Sequence, residues 1–309
     1  MELKVFGGQA SRELTEKICD HLGIKIGESE LIQFADGEFK VRYKETIRGR
    51  DVYIVQSTYA PADSLMQLLL WIDAAKRAAA EKITAVIPYF GWARQDRKAD
   101  PRTPISAKLV ADVITKAGAD RVLTVDLHSP QIQGFFDIPV DNLYARKVFV
   151  EFFKSNFKPD NFVVMGPDVG SAKLAESYIQ RLGGLPIALS YKNRYDTNKV
   201  KVLAILGDVK DKNILLVDDM IDTAGTIVEN ANKLKEMGAK DIHVFATHGL
   251  FSNDAASRID SSPISRIYVT DSIPLKCPSA KVQVISIASL LAEAIIREHN
   301  LESVSCLFE

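Results

Sequence analysis

Apolar residues recur along this chain at two spacings, and the spacings alternate. Leu65, Leu68, Leu69, Ile72, Ala75 and Ala79 follow one another at helical intervals, and Asp63 stands where it can cap that helix. The unbroken run Ile83-Thr84-Ala85-Val86-Ile87 comes next and stops at Pro88, which fits a buried strand. A second helix is predicted from about Ile105 to Ala117, ended by Gly118, with the strand Val122 to Val125 after it. The second half repeats this order, with Phe162 to Met165, Ile214 to Val217 and His243 to Ala246 as buried strands and helices between them. His243 alternates within its strand and is expected to pack there. Continuous apolar strands joined by helices indicate parallel sheets covered on both faces, so the expected fold class is α/β.

Arg121 to Gly134 can be laid beside Asn213 to Thr226: each is an apolar strand, an acid at its carboxyl end (Asp126, Asp218) and a small or polar loop. A tandem duplication of one α/β unit accounts for this, as would a generic strand-to-loop pattern. A length of 309 residues also suits two domains of about 150 residues each. The expected organisation is two similar tandem domains, each with a central, mostly parallel sheet flanked by helices. The boundary falls near Leu143 to Val150, giving domains of 1–146 and 147–309, with the last residues able to return to the first domain.

Charge sharpens this picture. Lys+Arg 39 against Asp+Glu 40 leaves a net −1, so any phosphate-binding or nucleic-acid-binding surface is local; with no added DNA-binding segment, no nucleic-acid partner is expected. The three cysteines, Cys19, Cys277 and Cys306, are far apart and lack metal-ligand spacing, which suits a reducing, cytoplasmic compartment. The start has no apolar signal-peptide core, and the longest apolar stretch is broken by Asp73, Lys76 and Arg77. No membrane partner is expected.

In open α/β sheets ligands bind beyond the carboxyl ends of the strands. The densest constellation lies at such an end: Asp218-Asp219-Met220-Ile221-Asp222-Thr223-Ala224-Gly225-Thr226. Carboxylates there can accept hydrogen bonds from vicinal sugar hydroxyls. The segment from Asp222 to Thr226 then enters a helix, so free backbone N–H groups and two hydroxyls form an anion cradle. Arg94, Arg97 and Lys98, three cations in five residues after a strand, suit a polyphosphate. Phe34-Ala35-Asp36-Gly37-Glu38 reads as a turn between two strands. Tyr191 to Lys199 follows an apolar run and reads as a polar loop.

The segment from Asp218 to Thr226 resembles the phosphoribosyl-binding motif of type I phosphoribosyltransferases. The order of the other motifs, from Phe6-Gly7 to Ser303-Val304-Ser305-Cys306-Leu307-Phe308, is similar to that of the ribose-phosphate pyrophosphokinase family over essentially the full chain. That resemblance implies a Mg2+-dependent diphosphotransferase with the type I phosphoribosyltransferase-like fold. It would take ATP and ribose 5-phosphate to 5-phosphoribosyl 1-diphosphate and AMP. It also implies the roles of individual residues. ATP would be bound by Phe34, Asp36, Gly37, Glu38, Arg94, Gln95 and Lys98, with the Phe34 loop reaching a neighbouring subunit's adenine. Ribose 5-phosphate would be bound by Arg194, Asp218, Asp219, Asp222, Thr223, Ala224, Gly225 and Thr226. Lys192 and Arg194 would be catalytic, and His128 and Asp168, with Asp126 as a further candidate, would meet Mg2+. Thr46, Arg48, Lys98 and Arg102 match the regulatory region. A homohexamer built from dimers is implied. Asn193, Asp100, Ser171 and Lys173 depart from the family's usual pattern. A phosphoribosyltransferase that consumes the diphosphate would not need the ATP motifs. A non-catalytic relative kept as a sensor would have lost Lys192, Arg194 or the metal residues.

Overall fold

The computed structural model describes residues 2–196 and 199–308, with the side chains of 169 and of 192–203 outside the description. The first repeat runs β1 (Leu3–Gly7), α1 (Arg12–Leu22), a hairpin of β2 (Ser29–Gln33) and β3 (Phe39–Tyr43), then β4 (Asp51–Val55) and α2 (Asp63–Arg77). It continues with β5 (Lys82–Ile87), α3 (Ser106–Ala117), β6 (Arg121–Val125), β7 (Val140–Leu143) and α4 (Arg146–Asn156). The second repeat opens with β8 (Phe162–Gly166), α5 (Ala172–Arg181), a hairpin of β9 (Ile187–Asp196) and β10 (Lys199–Leu206), β11 (Asn213–Ile221) and α6 (Gly225–Glu236). It closes with β12 (Ile242–Gly249), α7 (Ala255–Asp260), β13 (Arg266–Thr270), β14 (Val282–Ile285) and α8 (Ala288–His299). Element for element, the two repeats have the same order.

The sheets repeat it too. The first has the order β1-β4-β5-β6-β7, all parallel. The second contains the matching parallel set β8-β11-β12-β13-β14 and extends beyond β8 through β9 and β10, which pair antiparallel. This corrects the alignment of 121–134 with 213–226. The counterpart of β11 is β4, the second strand of the parallel set, whereas β6 corresponds to β13. Apolar strands of parallel sheets look alike, and only the crossover order tells them apart.

Two compact units result: Met1–Ala145 with Ser272–Pro274 and Ile287–Glu309, and Arg146–Asp271 with Leu275–Ser286. The last helix of each repeat therefore counts with the other unit. In the first unit, α8 packs against α1. In the second, Phe149 of α4 stacks on Phe245 of β12 with ring centroids 5.0 Å apart. His243 lies against Phe157 at 4.9 Å, so it is a packing residue, and burial pushes its imidazole below the ordinary range.

Local chemistry explains where elements begin and end. Leu68, Trp71, Ile72 and Ala75 form the buried face of α2. Asp63 is its first helical residue rather than its cap, with Ala62 at the cap position; the acid instead complements the positive helix start. Ala79 lies past the end of α2. Gly118 takes the left-handed conformation that ends α3, at φ 118°. The segment expected as a loop at 191–199 is largely strand: its backbone belongs to β9 as far as Asp196, with Lys192 opposite Val202 and Arg194 opposite Val200. Its polarity disguised this, because the pairing partner, with Val200 and Val202, lies further along the chain. Among the described residues no helix is long and apolar enough to cross a membrane, and the three cysteines are free thiols.

Candidate active site

In the second unit, Ile214, Leu215, Leu216 and Val217 of β11 are fully buried between parallel neighbours. The strand then continues through the acids, with Asp218 opposite Ala246 and Met220 opposite His248. Asp218 and Asp219 therefore stand on the strand itself, and Asp222 follows its end. Asp218 Oδ1 accepts the Asp219 N–H at 3.0 Å. Burial of its carboxyl, then the nearby Asp219 and Asp168 carboxylates, hold Asp218 well above the ordinary carboxylate range.

The chain turns into α6 through Ala224, whose left-handed conformation (φ 60°, ψ 1°) is costly for a residue with a Cβ. The turn is held from outside. Leu250 N–H donates to Ile221 O at 2.8 Å, Ser252 N–H to Asp222 O at 2.9 Å, and Arg258 Nη1 to Thr223 O at 3.1 Å. Asn230, buried in α6, donates through Nδ2 to Thr226 O at 2.9 Å and to Pro167 O at 3.3 Å, tying the loop after β8 to this turn. Thr223 to Thr226 thus bring the free N–H groups of a helix start together, with Thr223 Oγ1 3.7 Å from the point where a Cβ on Gly225 would lie, an arrangement that favours an anion.

Asp168 stands in the loop after β8. Its Oδ1 accepts the Ser171 N–H at 3.0 Å, and Ser171 Oγ donates to Asp168 O at 2.7 Å. Ser171 therefore closes this turn. Among the described residues no three His, Cys, Asp or Glu side chains are gathered as a metal-binding group. Asp168, in the loop after β8, nevertheless offers hard carboxylate oxygens of the kind Mg2+ takes. That donor chemistry fits Mg2+.

In the first unit the Phe34–Glu38 segment is the tip of the β2–β3 hairpin. Phe34 N–H donates to Glu38 O at 2.8 Å, Glu38 N–H to Asp36 Oδ1 at 3.0 Å, and Gly37 supplies the required φ of 96°. Phe34 is 48% exposed. After β5, Gly91 approaches the backbone so closely that a Cβ would lie 2.0 Å from Thr58 O. Arg94, Gln95 and Lys98 follow on the surface. Gln95 O accepts the Ala107 N–H at 3.2 Å, which ties this segment to the first turn of α3. Asp126 follows β6 with φ 44°, and its Oδ2 accepts the Ala145 N–H at 2.9 Å. His128 is exposed two residues on. Thr46 and Arg48 are exposed on either side of buried Ile47, and Arg102 has a φ of 66°.

Within the second unit, then, Asp168, Asp218 and Asp219 are near neighbours, and Asp222 to Thr226 form one turn. The side chains of Lys192 and Arg194 lie outside the described residues. Sequence reasoning missed Asn230 and Arg258. A polar Asn on the apolar face of α6 was a readable signal; Arg258 lies 35 positions from its partner and carried none.

Comparison with known proteins gives one consistent result. Residues 3–118 match the model of the N-terminal domain of ribose phosphate pyrophosphokinase, and residues 194–309 match that of the phosphoribosyl synthetase-associated domain. The ribose-phosphate pyrophosphokinase of Porphyromonas gingivalis is 52% identical over 98% of this chain and 97% of its own length. That of Thermotoga maritima is 51% identical over 99% and 98% respectively. The crystal structure of phosphoribosylpyrophosphate synthetase from Mycobacterium smegmatis superposes with a TM-score of 0.91 at 40% identity, covering 97% of this chain and all of that one.

Proposed function

Because the chain belongs to the ribose-phosphate pyrophosphokinase family and is an enzyme of phosphoribosyl pyrophosphate synthesis, we propose that it transfers the diphosphoryl group of ATP to the C1 hydroxyl of ribose 5-phosphate and releases AMP. The observation that carries this reading is the run from Asp218 to Thr226, with acids on the half-buried carboxyl end of β11 and a helix start shortly after them.

In the reaction the C1 oxygen bonds to the β-phosphorus, the bond to the α–β bridging oxygen breaks, and the hydroxyl proton leaves to solvent. Such transfers ask a protein mainly for positioning and charge stabilisation. Asp218 and Asp219 accept hydrogen bonds from the ribose hydroxyls, while Asp222 to Thr226 hold the 5-phosphate. Arg94, Gln95 and Lys98 meet the polyphosphate of ATP, and Phe34, Asp36, Gly37 and Glu38 meet its base. Lys192 and Arg194 stabilise the charge of the transferring group, with Arg194 also meeting the sugar. Mg2+, when bound, would offset the negative charge of the phosphates. Asp168, His128 and Asp126 are the residues assigned to it, the carboxylates of Asp168 and Asp126 being hard oxygen donors that suit it. Thr46, Arg48, Lys98 and Arg102 form the regulatory region. The working form is a cytoplasmic homohexamer built from dimers; three free thiols support the compartment and the exposed Phe34 supports the assembly.

The double variant Asp218→Ala/Asp219→Ala tests the sugar site. It should fold and lose use of ribose 5-phosphate, because each hydrogen bond to a charged group is worth about 1.5–3 kcal/mol. Near-normal kinetics in the folded variant would refute the assignment.

A further inference from the structure

We infer that Arg258 is a positioning residue for ribose 5-phosphate: its guanidinium fixes the Thr223–Ala224 peptide, and through it the donors of the phosphate cradle. The inference rests on the sugar-phosphate site proposed above and concerns a residue outside it.

The cradle turn is bonded on its outer side, one carbonyl after another. Ile221 O accepts from the Leu250 and Phe251 N–H groups, and Asp222 O from the Ser252 N–H. Main-chain donors end there. The next carbonyl, Thr223 O, is taken by a side chain, Arg258 Nη1 at 3.1 Å. A trans peptide points its carbonyl and its N–H in opposite directions. Holding Thr223 O toward Arg258 therefore turns the Ala224 N–H away from it. The same peptide leads into the left-handed Ala224, a conformation that a residue with a Cβ keeps only where its surroundings enforce it.

Arg258 is well placed to enforce it. It stands on α7 beside Ile259, and both Ile259 and Ala255 are fully buried in the core of the second unit, so its root is fixed. Nη1 also lies 3.8 Å from the point where a Cβ on Gly225 would sit, on the opening turn of α6. The guanidinium thus sits at the Thr223 carbonyl and beside the first residue of α6, and a planar group with several fixed donors suits that task better than a flexible ammonium. The side chain is exposed, so little of the core depends on it.

The test measures ribose 5-phosphate binding by calorimetry and steady-state kinetics for the wild type, Arg258→Ala and Arg258→Lys. Arg258→Ala should weaken Kd and raise KM for ribose 5-phosphate about tenfold, the loss of one charge-assisted hydrogen bond. Its kcat and its KM for ATP should stay near wild type, and its thermal midpoint should fall by no more than a few degrees. Arg258→Lys should fall between the two, and it stands in if the alanine variant fails to fold. Wild-type affinity in Arg258→Ala, a fall in kcat at unchanged KM, or a lysine variant as weak as alanine would overturn the inference while leaving the sugar site standing. A wild type that binds no ribose 5-phosphate would overturn both.

Discussion

His299 Nδ1 lies 2.8 Å from Asp51 Oδ2, joining the last turn of α8 to the first residue of β4. Asp51 is 4% exposed, so this contact is made away from water and losing either partner strands the other. Asp51→Ala and His299→Ala should each lower the stability of the chain by about 1–3 kcal/mol. Denaturation midpoints of the single and double variants give the coupling directly. Strictly additive losses would show that the two side chains do not hold α8 together.

Glu298, beside His299, makes stability depend on pH. Burial, then the Asp141 carboxyl, push its carboxyl up to about 8 from an ordinary 4.5, against the pull of Arg121, whose Nη1 is 3.8 Å away. The folded chain therefore keeps a proton that the unfolded chain gives up between those two values. Stability should fall as pH rises across that window and level off above it. Glu298→Gln should flatten this slope and melt above the wild type at pH near 9. Parallel melting curves for the two across the pH series would contradict the assignment.

Gly91 approaches Thr58 too closely for any side chain, and its N–H donates to Thr58 Oγ1 at 2.8 Å. Gly91→Ala pushes a methyl group into a backbone carbonyl, an overpacking cost of about 1–3 kcal/mol. The strain should displace the segment that carries Arg94 and Gln95. The expected result is a higher KM for ATP with ribose 5-phosphate binding preserved, read by titrating each substrate separately. Equal losses for both substrates would point to general unfolding instead.

What the sequence reveals depends on how local each feature is. The cradle was legible because Ile214 to Val217 is an apolar run that ends abruptly in acids and small residues, and the consequences stay within a dozen positions. The tip at Phe34 to Glu38 was legible for the same reason, as Gly37 supplies the turn. The match between repeats was misread because β4, β6 and β11 all carry a short apolar run, and their places in the sheets follow from crossovers. Polar β9 passed for a loop because its pairing with β10 is not written in its own residues. Ser171 looked like a deviation and proves to be the partner of Asp168. Arg258 and Thr223 meet only after α7 has packed.

The exposed Phe34 ring belongs to the proposed ATP site, and an aromatic ring left open on a hairpin tip suits a neighbouring subunit. Two inactive variants, Phe34→Ala/Glu38→Ala and Lys192→Ala/Arg194→Ala, should regain activity when mixed under conditions that exchange subunits. Activity that stays absent after exchange is confirmed would mean that each chain builds its site alone.

The most direct measurement identifies the nucleotide formed when the protein is mixed with ATP, Mg2+ and ribose 5-phosphate. AMP, appearing only when the sugar phosphate is present and in step with 5-phosphoribosyl 1-diphosphate, is the expected product. ADP, or no nucleotide product at all, would contradict diphosphoryl transfer at this site.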